Sequence, residues 1–236
     1  MIQLTRTRLR CDIDDGAIER LADVFASTHL LRLPAFLDDG LRATVDRRLA
    51  GAAFQTRVEK GLEIEETIVD PALVALFTLT LNDPRLFALV DRLTGCGPIG
   101  CFTGRIYRRR ASRGADDRYY PWHNDIADDR LIGLSINLGQ DPYEGGVLQL
   151  RVAASREPIG EVSNTGHGDA VLFRISNTLE HQVTPVSGDV PRTVMAGWFR
   201  RQPSYLDLVA RETASARAVC GDPTPGPDGL KPVPTA

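Results

Sequence analysis

The chain has 236 residues, 42% hydrophobic and 25% charged, enough to bury one sizeable core, and its net charge of −3 is spread over interspersed acids and bases. No run approaches the roughly 18 apolar residues of a membrane span. The basic residues, nearly all arginine, form no groove-like patch for nucleic acid. Met1 to Arg10 lacks the apolar core of a secretory leader, and Cys11, Cys96, Cys101 and Cys220 match neither a zinc knuckle nor a disulfide framework. A cytoplasmic chain is expected, with reduced thiols, no membrane and no nucleic-acid partner; oligomeric state is left open.

Helical periodicity governs about 1–96. Ile18, Leu21, Val24 and Phe25 form a stripe after Asp14 and Asp15, and Leu41, Val45 and Leu49 another after Asp38 and Asp39. A third helix follows Asp83 as N-cap and Pro84 at N1, carries Leu86, Leu89, Val90 and Leu93, and stops at Gly95. Glu63 to Val69 is a candidate strand.

Over about 97–202 the period drops to two. Strands are expected near 99–109, 118–125, 131–138, 146–152, 169–175, 179–185 and 192–200, with a further partner near Glu161. An amphipathic helix over about 204–220 completes a single domain, 1–221, and the Pro-rich 222–236 reads as a disordered tail. The fold class is therefore α+β: a double-sheet jelly roll with N-terminal helices packed on one sheet and a C-terminal helix.

The sharpest chemical pattern is His123-Asn124-Asp125 with His181 following 56 residues after Asp125. In a strand, positions i and i+2 share a face, so His123 and Asp125 point together. A second imidazole from a neighbouring strand would complete a 2-His-1-carboxylate set, which leaves open positions on a non-haem iron(II). Gly188-Asp189 fits a two-residue hairpin turn joining the His181 segment to the Arg192 segment. In that register Arg192 lies about 13 Å from His181 on the same face, at ~3.3 Å per residue. Arg192 could then fork onto the far end of an acidic cosubstrate.

The stretch from Thr103 to Phe199 resembles the iron(II)/2-oxoglutarate-dependent oxygenases, and among them the prolyl-4-hydroxylase-like group. The resemblance rests on seven pieces in order. They are Arg105-Ile106-Tyr107, Tyr120-Pro121-Trp122-His123-Asn124-Asp125, Leu134 to Leu138, Tyr143 to Leu150, Gly168 to Phe173, His181 to Val186, and Arg192 to Phe199. It implies a double-stranded β-helix, with His123, Asp125 and His181 as the catalytic metal ligands for iron(II). It also implies Arg192 as the 2-oxoglutarate anchor, O2 as oxidant and ascorbate as a candidate reductant. Tyr107, Ser135 and Asn137 are further cosubstrate candidates; Arg105, Trp122 and Trp198 are substrate candidates. Val194 departs from the family's serine two residues after the basic residue.

The expected activity is a dioxygenase that hydroxylates an unactivated C–H of a small molecule or of a peptide or carrier-bound precursor, releasing succinate and CO2. A non-catalytic metal- or sugar-binding β-sandwich and a zinc hydrolase are the alternatives. Gly95 to Gly100 fits GxGxxG, but a helix precedes it and a strand follows, the reverse of a dinucleotide site. The segment from Arg108 to Arg118 reads as a polar loop and a candidate lid.

Overall fold

The computed structural model describes residues 1–59, 63–111, 121–127, 129–207 and 209. The chain opens with a small hairpin, β1 (Ile2–Leu4) and β2 (Leu9–Cys11), followed by α1 (Asp15–Thr28), β3 (Leu30–Leu33), α2 (Asp39–Ala50), β4 (Phe54–Glu59) and β5 (Glu63–Ile68). Two short helices, α3 (Pro71–Leu81) and α4 (Pro84–Thr94), lead into β6 (Cys101–Arg109) and β7 (Arg130–Asn137). The remaining strands are β8 (Glu144–Gly145), β9 (Leu148–Val152), β10 (Pro158–Val162), β11 (Ala170–Arg174), β12 (Leu179–Val183), β13 (Val186–Ser187) and β14 (Arg192–Arg200).

Each of α1 to α4 starts at an aspartate whose carboxylate accepts a backbone N–H of the first turn: Asp14 from Ala17, Asp38 from Leu41, Asp70 from Ala72 and Leu73, Asp83 from Arg85. Asp70-Pro71 repeats the grammar of Asp83-Pro84, yet the periodicity argument passed over α3. Its run Ala72 to Phe77 is apolar all round, so no stripe marks a face. α4 stops at Gly95 in the left-handed conformation, as its sequence predicts.

Seven strands form an antiparallel major sheet in the order β3-β11-β7-β14-β6-β5-β4, and β10-β9-β12 form a smaller one. Period-two alternation splits the major strands between two cores. Ile132, Ile136, Ala170, Leu172, Met195 and Phe199 face the helices. Their neighbours Val171, Phe173 and Trp198 face Leu148, Leu150 and Val183 of the smaller sheet. The result is three layers, helices on one side of the major sheet and the small sheet on the other, which is the jelly-roll core with its N-terminal helical cover. Among the described residues no single helix is long and apolar enough to cross a membrane.

The sequence reading needs four corrections. The N-terminal third is not simply helical, since β1 to β4 were not expected. The strand expected at 118–125 is absent from its described part: His123 makes an isolated bridge to His181, and Asp125 is left-handed at φ 55°. The hairpin through Gly188-Asp189 does not form either. β13 pairs with β8, and β14 pairs with β6 and β7, so the chain crosses between sheets there. Arg108 and Arg109, read both as the end of the 99–109 strand and as the start of the polar loop, belong to β6, so the loop begins after them. Tyr205 begins a helical turn; most of the expected helix 204–220, the tail 222–236 and most of the proposed lid lie outside the described residues.

Candidate active site

A cavity of about 350 Å³ lies between the two sheets. At one end His123, Asp125 and His181 bring one ligand atom each within 4.8 Å of one another. His181 projects from β12, and the two backbone bonds it exchanges with His123 (3.0 and 2.8 Å) tie the loop to that strand. His123 Nδ1 lies 2.8 Å from the Pro121 carbonyl, which takes the ring proton and leaves Nε2 turned toward Asp125 at 3.7 Å. Asp125 Oδ2 lies 3.5 Å from His181 Nε2. Phe173 backs the His181 ring at a centroid distance of 4.7 Å. A Cβ at Gly133 would sit 2.1 Å from the Phe173 ring, so a larger residue there would push against the ring that backs His181.

The protonation states suit a cation. Burial, with the neighbouring His181, lowers the His123 imidazole to about 4. Burial works to raise Asp125, but the hydrogen bond and charge of His181, with the Trp198 N–H, outweigh it and hold the carboxyl at about 2. Near neutral pH this is a neutral imidazole beside a carboxylate, donors that fit a divalent metal. Two residues hold Asp125 from behind. Trp198 Nε1 donates to Oδ2 at 2.8 Å, while Arg130 stacks 3.6 Å over the Trp198 ring and approaches Oδ1 at 3.4 Å.

At the other end Arg192, 4% exposed, enters from β14. Nη2 donates to Ser135 Oγ at 3.2 Å and Nη1 to the Tyr107 hydroxyl at 3.5 Å. Nε is buried without a partner, and no carboxylate pairs with this guanidinium among the described residues. A buried charge without a counter-ion is costly, so the arrangement is that of a receptor for an acidic ligand. Gly146, at φ 59°, leaves room for the arginine stem; a Cβ there would sit 2.8 Å from its Cδ.

Of the sequence candidates, His123, Asp125, His181, Arg192, Tyr107, Ser135, Arg105 and Trp198 line this one cavity. Asn137 shares Ser135's face, as read, but is not among the residues lining the cavity. Its amide donates to Gly166 O and accepts from Gly139 N, which consumes it in shaping a loop. Trp122 is also outside the lining and lies under the Arg151 guanidinium at 4.3 Å. His181 and Arg192 reach the cavity from opposite sheets rather than from one face of a hairpin. Sequence reasoning missed Glu65, Arg109 and Arg130. Arg109 was legible as the next step of the alternation Arg105, Tyr107, Arg109; Glu65 carried no local signal.

A jelly roll with a 2-His-1-carboxylate face, across a cavity from a buried arginine that has no carboxylate partner among the described residues, is an architecture suited to a non-haem iron oxygenase that uses an acidic cosubstrate. Residues 109–200 match the sequence profile of the 2OG-Fe(II) oxygenase superfamily. No curated protein matches the chain. Among solved structures it is similar to an oxidoreductase of the 2OG-Fe(II) oxygenase family from Burkholderia pseudomallei (19% identity, TM-score 0.59, covering 86% of this chain and 98% of that one). It is also similar to a Pseudomonas putida prolyl-4-hydroxylase (20%, 0.56, 79% and 100%). A third is the non-haem α-ketoglutarate-dependent epimerase SnoN from nogalamycin biosynthesis (19%, 0.58, 92% and 94%). The segment that carries this site thus matches the profile of the 2OG-Fe(II) oxygenase superfamily, and its His-Asp-His donor set fits an iron(II) ion.

Proposed function

We propose that the protein hydroxylates a C–H bond of a small molecule or of a peptide or carrier-bound precursor, with His123, Asp125 and His181 holding iron and Arg192 anchoring 2-oxoglutarate. The observation that carries this reading is the pairing, in one cavity, of a metal-competent triad with a buried guanidinium that has no carboxylate partner among the described residues. When bound, iron and 2-oxoglutarate supply oxygen activation coupled to conversion of the cosubstrate to succinate and CO2.

The chain's own residues bind, orient and exclude water. Arg192 would fork onto the distal carboxylate of the cosubstrate, with the Tyr107 hydroxyl and Ser135 Oγ, which it already contacts, beside it. Trp198 and Arg130 fix the Asp125 carboxylate, which leaves fewer orientations for its remaining lone pairs. Leu148, Val171, Phe173 and Val183 supply an apolar wall that would keep water from a metal held by the triad.

The test is oxygen-dependent succinate formation by the purified chain with iron(II) and 2-oxoglutarate. Slow turnover without added substrate is expected in the wild type, with none in Asp125→Ala. Conversion that is unaffected by Asp125→Ala would remove the triad from the reaction.

A further inference from the structure

Strict alternation along β7 would put Leu131, Gly133 and Ser135 on the cavity face, and Arg130 and Ile132 on the face under the helices. The strand departs from it at one place. Trp198 pairs with Gly133 and Phe199 with Ile132, but Arg200 pairs with Arg130, so Leu131 is the extra residue of a β-bulge. Leu131 packs with Ile132 into the core beneath the helices. Arg130 is thereby carried round to the opposite face, where it lines the cavity. One inserted residue re-aims a cation at the metal end.

There the guanidinium is held on two sides. It stacks 3.6 Å over the Trp198 ring, and Nη1 reaches both the Asp125 carbonyl at 3.3 Å and Oδ1 at 3.4 Å. The Trp198 N–H takes the other carboxylate oxygen, Oδ2, at 2.8 Å. Both oxygens of the one acidic ligand are therefore engaged from behind, one by a neutral donor and one by a full charge. Orienting the carboxylate requires only donors, which the neutral indole N–H already supplies. The charge adds something a neutral donor lacks. A carboxylate drawn upon by a cation gives less density to a metal, and a positive charge beside the site disfavours the more highly charged ion of a redox pair. The Arg130 side chain is only 20% exposed, so solvent screens this effect incompletely.

Resting on the function proposed above, we infer that Arg130 acts through Asp125 as a positioning residue that keeps the resting iron ferrous. Its charge opposes the transfer of one electron from iron(II) to O2, which yields iron(III) and superoxide and leaves a site that cannot begin a turnover. The bulge at Leu131 is the element of the fold that delivers this charge to the ligand.

The experiment loads the full chain with iron(II) under anaerobic conditions, without substrate. The iron(III)/iron(II) midpoint potential is then measured by mediated titration, with electron paramagnetic resonance reporting the ferric ion. The potential reads the ratio of ferric to ferrous affinity, so any weakening common to both oxidation states cancels. Arg130→Gln should lower it by about 59 mV or more, a tenfold shift of that ratio toward iron(III), and air should oxidise the iron(II) protein faster. Arg130→Lys keeps the charge and should fall less than half as far. Arg130→Met, whose chain can still lie on the Trp198 ring, carries the test if Arg130→Gln unfolds. An unchanged potential in the neutral variants would overturn the inference, because the charge would then not reach the iron. An equal fall in Arg130→Lys and Arg130→Gln would also overturn it, by assigning the effect to lost packing. A wild-type protein that takes up no iron(II) would overturn the functional reading and this inference with it.

Discussion

The two ends of the cavity are built differently. The Arg192 end is made of residues inside paired strands: Arg192 on β14, Tyr107 on β6 and Ser135 on β7, three neighbours whose register is fixed by continuous ladders. Only His181 of the triad enjoys that support, because His123 stands on an isolated bridge and Asp125 on a left-handed residue beyond it. What the ladder does for Arg192, two side chains do for Asp125, the Trp198 N–H and the stacked Arg130, while the Pro121 backbone carbonyl orients His123. The cosubstrate end should therefore tolerate loss of its neighbours, whereas the metal end should depend on them.

The largest break comes from the triad itself. His123→Ala, Asp125→Ala and His181→Ala should each weaken iron(II) binding by more than about 100-fold, since the loss of one of three ligands exceeds that of an outer-shell partner. Metal titration checks the binding, with circular dichroism confirming the fold.

Next is Arg192→Ala, which should cost about 2–4 kcal/mol of 2-oxoglutarate binding, roughly 30- to 1000-fold. Arg192→Lys should recover part of it, because the charge survives but the fork does not. Arg192→Met sharpens the comparison. By removing a buried charge that has no carboxylate partner among the described residues, it should raise the Tm of the ligand-free protein while abolishing tight cosubstrate binding. A lower Tm would mean that the guanidinium is already compensated.

Trp198→Phe keeps the ring under Arg130 but deletes the 2.8 Å bond to Asp125. Iron(II) affinity should fall about 10-fold, with 2-oxoglutarate affinity in the metal-loaded protein changed less than about twofold. Equal losses at both ends would erase the distinction between them.

The remaining effect is on pH. His123 titrates near 4 in the folded chain against an ordinary 6.5, so the unfolded chain binds more protons between those values. Stability of the metal-free protein should then fall as pH drops from 6.5 toward 4. Asp125, held near 2 against 3.8, adds a further loss only below 3.8. Thermal melts of the wild type and His123→Gln across this range give the measurement, and the variant should show the shallower decline.

The same contrast governs what could be read in the sequence. Period-two alternation located β6, β7, β9, β11, β12 and β14 closely, because their two faces bury different cores. It failed where geometry is not periodic. His123 and Asp125 were correctly brought together for the wrong reason, since a bridge and a left-handed residue, not a strand, aim them at one point. Gly188-Asp189 is good hairpin chemistry, but turn residues report a local reversal and cannot say that the next strand joins another sheet. Asn137 was read from a shared face, which fixes the side a residue points to and not which backbone groups will use its amide. Glu65 lies 40 and 44 residues from Arg105 and Arg109, and only the register across β5 and β6 brings it to them.

The central claim is that one cavity holds iron at the triad and 2-oxoglutarate between the triad and Arg192. Anaerobic titration tests it most directly. Iron(II) and 2-oxoglutarate together should produce a weak visible metal-to-ligand absorption that neither gives alone. That band should vanish in Asp125→Ala and require far more 2-oxoglutarate in Arg192→Ala. A wild-type protein that binds both without the band, or a band indifferent to Arg192→Ala, would contradict the account.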